Sequence, residues 1–362
     1  MIFYKDEQFG FYEIFNEENG TLIRSDVCGV DPICRSFPEL LDVGIMGHCD
    51  SRYDCKLAGI DCYQKGDSIA TPHMTSSDFD LIARQAAGKT FQIALGGAGD
   101  PNKHPEFQKI LRICKHYRIV PNLTTSGYGL TDNEIQNIKE YCGAVAVSWY
   151  SRIIGGRESN TATIEAVNRL VKEGCTTNIH YVISNQTIDE AIYRLENDLF
   201  PQGINAVIFI LYKPVGYGRK DKVVSQSELL KKFLRLAVKK HRFRVGFDTC
   251  FTPAVLRFCM DDIPVNCIDA CEAGTFSMYI DSQLIAYPCS FGIDYKVNGI
   301  SLKDNTIRDV WNSELFSQLR KSGDKRCFGC EDKLYCLGGC KLGLDINLCK
   351  GLKEDNKKFF LK

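Results

Sequence analysis

Clustered cysteines are the side chains of this chain that are best suited to chemistry. The 362 residues include 18 cysteines, and eleven of them fall into two groups, at positions 49–62 and 267–349. Glycines at 338 and 339 permit a tight turn inside the second group. Closely spaced thiolates of this kind are typical of iron-sulfur ligands. The densest stretch holds five cysteines, with two, five, three and eight residues between successive members: Cys327, Cys330, Cys336, Cys340 and Cys349.

The smaller group, Cys49, Cys55 and Cys62, follows an apolar stretch at residues 40–46 that we expect to form a buried strand. Three thiolates beyond a strand end could hold three iron atoms of a 4Fe-4S cluster and leave the fourth iron open to a small ligand. A zinc site or unligated loop cysteines are the alternatives. The sequence therefore predicts a metal centre with one open position.

The overall composition argues against some classes of function. The 45 basic and 45 acidic side chains cancel, so no net field draws the chain to nucleic acid or to an acidic membrane. No apolar run approaches the roughly 18 residues of a membrane-spanning helix, and the acidic, aromatic start is unlike a signal peptide. We therefore expect a cytoplasmic protein, where reduced thiols favour metal ligation over disulfides.

The elements that must position these cysteines alternate between strands and helices. The apolar strand candidates are 91–95, 119–123, 144–148, 177–183, 206–211 and 243–247. The helix candidates are 78–87, 106–117, 132–141, 161–173, 188–198 and 227–239, and Thr131 with Glu134 predicts a capping box. Apolar strands separated by helices predict a parallel sheet covered by helices. Six or seven such units suit a partial (β/α)6-type barrel, and a doubly wound open sheet is the competing architecture.

Two further regions flank the predicted barrel. Residues 9–15 and 21–27 surround Asn19-Gly20, which predicts an N-terminal β-hairpin within residues 1–38. The barrel is expected to span residues 39–250. Residues 251–362 are rich in cysteine, glycine and turn residues, which indicates a second region that folds around its metal centres.

Polar and glycine residues recur where the predicted strands end. The second strand runs into Gly97, Ala98, Gly99 and Asp100, and the third ends in a hydroxyl-rich segment with Thr125 and Ser126. The fourth strand ends at Ser148, and the sixth contains Ile210 and Leu211. Bare glycine backbone permits close approach of a ligand. Since parallel strands bring these ends together, the residues predict one pocket.

With these motifs, residues 39–350 resemble a radical S-adenosylmethionine (SAM) enzyme that carries a C-terminal SPASM domain. The resemblance implies SAM and three 4Fe-4S clusters as cofactors. The first cluster would be held by Cys49, Cys55 and Cys62, although five and six residues separate these cysteines where the family usually has three and two. Leu284 stands where the SPASM domain usually has glycine, which we interpret as a local change of turn.

The resemblance also implies roles for single residues. Gly97, Ala98, Gly99 and Asp100 match the loop that binds the methionine part of SAM. Thr125, Ser126 and Ser148 match the next strand ends, with Ser148 at the ribose, and Ile210 and Leu211 border adenine. The implied ligands of the first auxiliary cluster are Cys267, Cys271, Cys289 and Cys340. Those of the second are Cys327, Cys330, Cys336 and Cys349.

Among the remaining residues, Asp248, Arg219 and Cys250 are candidates for contact with the substrate. Asp248 and Arg219 are expected to point toward the barrel mouth, either to anchor a substrate or as structural ion pairs. Seven cysteines have no assigned cluster. Cys114, Cys142 and Cys175 are expected in the core, because a free cysteine packs as a small hydrophobe, and the others are Cys28, Cys34, Cys250 and Cys259.

The activity that the resemblance implies is reductive cleavage of SAM to a 5'-deoxyadenosyl radical, which abstracts a hydrogen from a ribosomally made peptide. The outcome would be a thioether or carbon-carbon crosslink, or an epimerisation. The implied partners are a leader-core precursor peptide, a flavodoxin or ferredoxin, and a separate leader-binding protein or the N-terminal hairpin in its place. An anaerobic or low-oxygen cell is the expected setting. A small-molecule substrate and a zinc-rich binding protein are the alternatives.

Overall fold

Three antiparallel strands form a small sheet at the N-terminus, namely β1 (Ile2–Asp6), β2 (Phe11–Phe15) and β3 (Leu22–Asp26), in the order β1-β2-β3. The structure is a computed structural model that describes residues 1–50, 55–56, 58–68, 70–225, 227–322 and 327–349. The predicted hairpin is β2 with β3, and β1 was missed. The Phe15 ring stacks on the Phe91 ring at a centroid distance of 5.3 Å. The buried Arg35 guanidinium lies 2.7 Å from a Glu13 carboxylate oxygen, which fixes the small sheet to the rest of the protein.

Seven parallel strands then follow one another both in the chain and in one sheet. They are β4 (Leu40–Met46), β5 (Gln92–Gly97), β6 (Val120–Thr125), β7 (Ala144–Ser148), β10 (Thr177–Ile183), β11 (Ala206–Leu211) and β12 (Arg244–Phe247), with a short hairpin of β8 (Ile153–Ile154) and β9 (Arg157–Glu158) between β7 and β10. In a barrel, strands that are consecutive in the chain are neighbours in the sheet, as they are here. A doubly wound sheet reverses its order at a switch point, so that alternative is wrong.

Helices connect the parallel strands and cover one face of the sheet. They are α1 (Ser76–Ala86), α2 (Phe107–His116), α3 (Asp132–Tyr141), α4 (Thr161–Lys172), α5 (Ile188–Glu196) and α6 (Glu228–Ala237). All six match the predicted helices to within two residues. The capping box at the start of α3 is confirmed, since Thr131 Oγ1 accepts from the Glu134 amide and a Glu134 carboxylate oxygen accepts from the Thr131 amide.

Strand residues alternate between a closed face and an open face. Residues that face the helices are buried, as in Leu41, Val43 and Ile45 of β4. Residues on the opposite face, such as Asp42 and Ser148, are only half-buried. The concave interior of the partial barrel is therefore lined in part by polar groups and remains open to a ligand.

The C-terminal region continues the same sheet. Strand β13 (Ser277–Ile280) pairs in parallel with β4, and β14 (Ile285–Tyr287) and β15 (Ile300–Ser301) extend the edge in antiparallel fashion. Leu284, in the turn before β14, has a φ of 65°. Leu284 therefore adopts the left-handed backbone that favours glycine, and the expected change of turn relative to the family stays a prediction.

The C-terminal helices among the described residues are short. They are α7 (Thr252–Phe258), α8 (Ile307–Trp311), α9 (Glu314–Lys321) and α10 (Lys333–Cys336). Across the described part of the chain, no helix is long and apolar enough to cross a membrane.

Candidate cluster and cofactor site

The loop that carries Cys49, Cys55 and Cys62 closes over the carboxyl ends of β4 and β5. The Cys49 amide donates to the Gly66 carbonyl oxygen at 2.8 Å, which ties the start of the loop to its end. A Cβ atom on Gly66 would lie 1.9 Å from the Ala98 carbonyl oxygen and 2.9 Å from Cys49 Cβ. Glycine at 66 therefore lets the cysteine loop touch the predicted SAM-binding loop directly.

A second contact joins the cysteine loop to the segment after β11. The Tyr217 amide donates to the Cys62 carbonyl oxygen at 3.0 Å. Asp61, beside Cys62, accepts from the Tyr212 hydroxyl at 3.0 Å and from Lys222 Nζ at 2.6 Å. These bonds hold Cys62 over the mouth of the barrel from the side opposite to β5.

The three thiols of the loop lie within electrostatic reach of one another. Burial raises the pKa of Cys55 to about 12, and the negative charges of Asp100, Cys49 and Cys62 contribute to the rise. Crowded thiols of this kind stay protonated until a cation neutralises them. The crowding of these thiols therefore favours a bound cation, and their role as ligands of the first cluster stays a prediction.

The glycine-rich segment after β5 is held against the strand that precedes the cysteine loop. Gly97 has a φ of 117°, and the Ala98 amide donates to the Met46 carbonyl oxygen at 2.8 Å. Asp100 accepts two hydrogen bonds from Ser126, one from its amide at 2.9 Å and one from its hydroxyl. Burial raises the pKa of Asp100, and the bonds from Ser126 oppose that rise.

Residues on β7, β10 and β11 complete the interior wall. Ser148 and His180 are cross-strand partners in the sheet. Ser148 also hydrogen-bonds to Tyr150, whose pKa is raised by burial and by the charges of Cys55 and Asp100. Ser148 thus lies near the cysteine loop. The other predicted wall residues are the half-buried Ile210 and the buried Thr125 and Leu211.

A second group of thiols lies in the C-terminal region and contains Cys271, Cys289 and Cys340. Burial raises the pKa of Cys271 to about 12, with further contributions from the charges of Cys289 and Cys340. Backbone amides donate to these sulfur atoms, from Ala273 to Cys271, from Phe291 to Cys289, and from Gly343 to Cys340 at 3.1 Å. Amide bonds to sulfur favour thiolates and are a feature of iron-sulfur sites.

Two cysteines depart from the predicted assignment of this group. Cys267, a predicted ligand, is exposed. Cys250 instead belongs to the buried group: burial raises its pKa, Lys213 opposes the rise, and the charges of Asp248, Cys271 and Cys340 add to it.

A third group contains Cys336, Cys327 and Cys349. Burial raises the pKa of Cys336 to about 11, with contributions from the charges of Cys349 and Cys327, and the amides of Gly338 and Gly339 oppose the rise by donating to sulfur. The Cys330 amide donates to the Cys327 carbonyl oxygen at 3.3 Å, which places the fourth predicted ligand of the second auxiliary cluster in the turn that carries Cys327.

An ion pair between the buried Lys213 and Asp248 lies beside the second group. Of the two alternatives for Asp248, substrate anchor or structural ion pair, the structure shows the ion pair; Lys213 was missed by sequence reasoning. Lys213 Nζ is 2.5 Å from Asp248 Oδ2 and 2.9 Å from the Leu211 carbonyl oxygen. Burial opposes the charge on Lys213, but Asp248 and Cys250 hold its pKa above the usual value. By contrast Arg219 is exposed and pairs with Asp221, so of the two alternatives it makes a surface ion pair.

Two polar residues of the barrel interior were also missed. Burial raises the pKa of Asp42 on β4 to about 7 and lowers the pKa of His180 on β10 to about 4. Both lie on the less buried face of their strands, opposite the fully buried residues, and that period of two was a signal that could have identified them.

The remaining cysteines lie away from these groups. Cys114 is fully buried in the core, and Cys142 and Cys175 pack against it, as predicted. Cys259 is also buried, Cys34 is half-buried, and Cys28 is exposed.

The three thiol groups offer the donor chemistry of iron-sulfur clusters, and the second and third groups also accept amide bonds at sulfur. In the described part of the chain, no three cysteine, histidine or acidic side chains are close enough to hold one metal ion. A cluster spreads its ligands, because each thiolate binds a different iron atom.

Comparisons with known proteins agree with this description. Residues 271–331 match SPASM, an iron-sulfur cluster-binding domain. Among solved structures, the fold is similar to that of SuiB from Streptococcus suis, with a TM-score of 0.64, 18% identity and coverage of 88% of this chain and 77% of SuiB. SuiB bound to its precursor peptide SuiA gives a TM-score of 0.64, 18% identity and coverage of 85% and 72%. For anSMEcpe with bound AdoMet, the TM-score is 0.60, with 15% identity and coverage of 86% and 87%.

Proposed function

We propose that this chain, which has the fold of radical SAM enzymes and carries a SPASM domain, cleaves SAM reductively to modify a ribosomally made peptide. The observation that carries the proposal is the contact between the cysteine loop and the glycine-rich loop at Gly66 and Ala98. It brings the three thiols of the cysteine loop next to a segment suited to bind an amino acid.

In this proposal, Cys49, Cys55 and Cys62 hold the catalytic cluster, which when bound supplies the electron for cleavage of SAM. The exposed backbone of residues 97–99 receives the amino acid part of SAM, and Asp100 is oriented for this by its two bonds from Ser126. Ser148 is positioned for the ribose. Ile210, on β11, borders the adenine.

The interior of the partial barrel holds the substrate beside SAM. Its half-buried face offers Asp42 and His180 as polar contacts. His180 is neutral near pH 7, because burial lowers its pKa to about 4, so it can accept or donate one hydrogen bond without carrying charge. The closed loops above the strand ends limit the access of water to the reacting carbon.

A peptide substrate is supported by SuiB, whose structure is known with its precursor peptide SuiA, and by anSMEcpe, which is known with the Cp18Cys peptide. A thioether or carbon-carbon crosslink, or an epimerisation, is the proposed class of product. A flavodoxin or ferredoxin supplies electrons, and the oxygen sensitivity of such clusters suits the cytoplasm of an anaerobic or low-oxygen cell.

The leader of the peptide has a candidate binding surface on the N-terminal sheet. Phe3, Ile14 and Ile23 are cross-strand neighbours on its outer face, and all three are exposed. The opposite face is packed against the protein, so deleting the sheet would disturb the fold. Substituting Phe3 and Ile23 with lysine tests the surface more cleanly, and unchanged peptide affinity would leave leader binding to a separate protein.

The proposed function is tested with protein that has been purified and reconstituted anaerobically. We expect iron and acid-labile sulfide, and we expect methionine and 5'-deoxyadenosine after addition of SAM and dithionite. Cys55→Ala should abolish the cleavage, while Cys142→Ala, which removes a thiol that packs against the core, should retain it. Bound zinc without sulfide would instead support a zinc-binding protein. SAM cleavage that no candidate peptide stimulates would favour a small-molecule substrate.

A further inference from the structure

We infer that Cys250, and not Cys267, supplies the fourth thiolate of the first auxiliary cluster. The other three ligands are those of the buried group, Cys271, Cys289 and Cys340. This inference rests on the proposed function, because it assumes that the group bound here is an iron-sulfur cluster.

The path of the chain brings Cys250 to this group. Cys250 lies in the turn Thr249–Phe251, which leads directly into α7. At the start of α7, Thr252 Oγ1 donates to the Asp269 carbonyl oxygen at 2.7 Å. The next residue, Pro253, lies 3.1 Å from the position of a Cβ atom on Gly339. The start of α7 therefore touches both of the segments that carry Cys271 and Cys340.

Burial and charge also connect Cys250 with the other three cysteines. The charges of Cys271 and Cys340 act on Cys250, and the ammonium group of Lys213 acts on Cys250 and on Cys289 alike. The same buried lysine thus acts on two thiols of the group. A cation at this point balances the negative charge that four cysteine thiolates and a cluster would place in a buried site.

Cys267 lacks these features. Its residue is exposed, and its sulfur lies 3.9 Å from Oδ1 of the preceding Asn266. The charges that act most strongly on the Cys271 thiol come from Cys289 and Cys340. The resemblance to SPASM domains implied Cys267, which lies only four residues from Cys271. Cys250 is 21 residues away, and only the fold brings it close.

The test compares Cys250→Ala with Cys267→Ala in the full chain, reconstituted anaerobically, with Cys259→Ala as the control for loss of a buried thiol from the core. Iron, sulfide and the Mössbauer spectrum are measured. With three 4Fe-4S clusters the wild type should contain about 12 iron atoms. We expect Cys267→Ala and Cys259→Ala to keep this content, and Cys250→Ala to lose up to about a third of it or to show a three-iron cluster.

The inference is overturned if Cys267→Ala loses iron, or if Cys250→Ala keeps its full content and the wild-type spectrum. Loss of iron from Cys267→Ala overturns the inference even where Cys250→Ala fails to fold. If the wild type binds iron and Cys267→Ala loses part of it, the inference fails but the proposed function stands. A wild type without iron and sulfide overturns the proposed function and this inference with it.

Discussion

Replacing Gly66 with alanine tests whether the contact between the two loops is the basis of SAM binding. The new methyl group would lie 1.9 Å from the Ala98 carbonyl oxygen, and real Cβ atoms essentially never approach other heavy atoms closer than 3.0 Å. The cysteine loop and the glycine-rich loop must therefore separate by about 1.1 Å. Neither side of this contact is a flexible side chain that could turn away, since the obstacle is backbone.

The size of the effect follows from that displacement. Overpacking of a closed contact costs about 1–3 kcal/mol, which corresponds to a SAM affinity lower by roughly 5- to 150-fold. A misplacement of about 1 Å can also lower a rate by about 100-fold. We therefore expect the Gly66→Ala protein to fold, to bind SAM roughly 5- to 150-fold more weakly, and to release 5'-deoxyadenosine still more slowly.

The assay is anaerobic equilibrium binding of SAM, followed by measurement of 5'-deoxyadenosine after reduction. Gly59→Ala is a matched control in the same loop, because a Cβ atom there meets nothing within 4 Å. Gly59 has a φ of 70°, so alanine costs about 1–2 kcal/mol of local strain without pushing the loops apart. Equal SAM affinity for the wild type and Gly66→Ala would refute the role assigned to this contact.

Three further predictions concern buried charges. Asp248→Asn should lower the free energy of unfolding by about 3–5 kcal/mol, because it leaves the Lys213 ammonium buried without its carboxylate partner. Urea unfolding measures this loss, and the double variant with Lys213→Met should recover part of it. Burial raises the pKa of Asp42 from the ordinary 3.8 to about 7, so between these pH values the folded protein binds a proton that the unfolded chain does not. The free energy of unfolding should therefore fall by up to about 4 kcal/mol as the pH rises from 4 to 7. Urea titrations at several pH values check this, and Asp42→Asn should flatten the dependence. Ser126→Ala removes a hydroxyl that donates to the Asp100 carboxylate and should cost about 1.5–3 kcal/mol; an unfolding midpoint within error of the wild type would contradict it.

The regular elements could be predicted because their signals are local. Strands β7, β10 and β11 begin and end at the predicted residues, and the capping box at Thr131 is present. Fully apolar strands between helices also identified the parallel sheet correctly. Strand β1 was missed because its residues, Ile2–Asp6, mix charged and apolar side chains and gain their order only from pairing with β2.

The parts of the candidate site that lie close together in the sequence could be predicted. The parts that depend on residues far apart in the sequence were missed. The loops at Cys49 to Cys62 and at Gly97 to Asp100 follow their strands directly, so their meeting could be expected. Lys213 and Cys250 contribute through contacts that join segments far apart in the chain. No periodicity marks such residues, because their neighbours are set by how β11, α7 and the C-terminal segments fold together.

The parallel pairing of β13 with β4 limits how this protein can be divided. Ser277–Ile280 hydrogen-bonds to the strand that leads into the cysteine loop. A fragment that stops at residue 250 would leave the backbone of β4 as an open edge, and an unpaired edge of apolar residues is prone to aggregation. The C-terminal region therefore covers the edge of β4, and exchanging it for the corresponding region of another protein would require a strand that fits this edge.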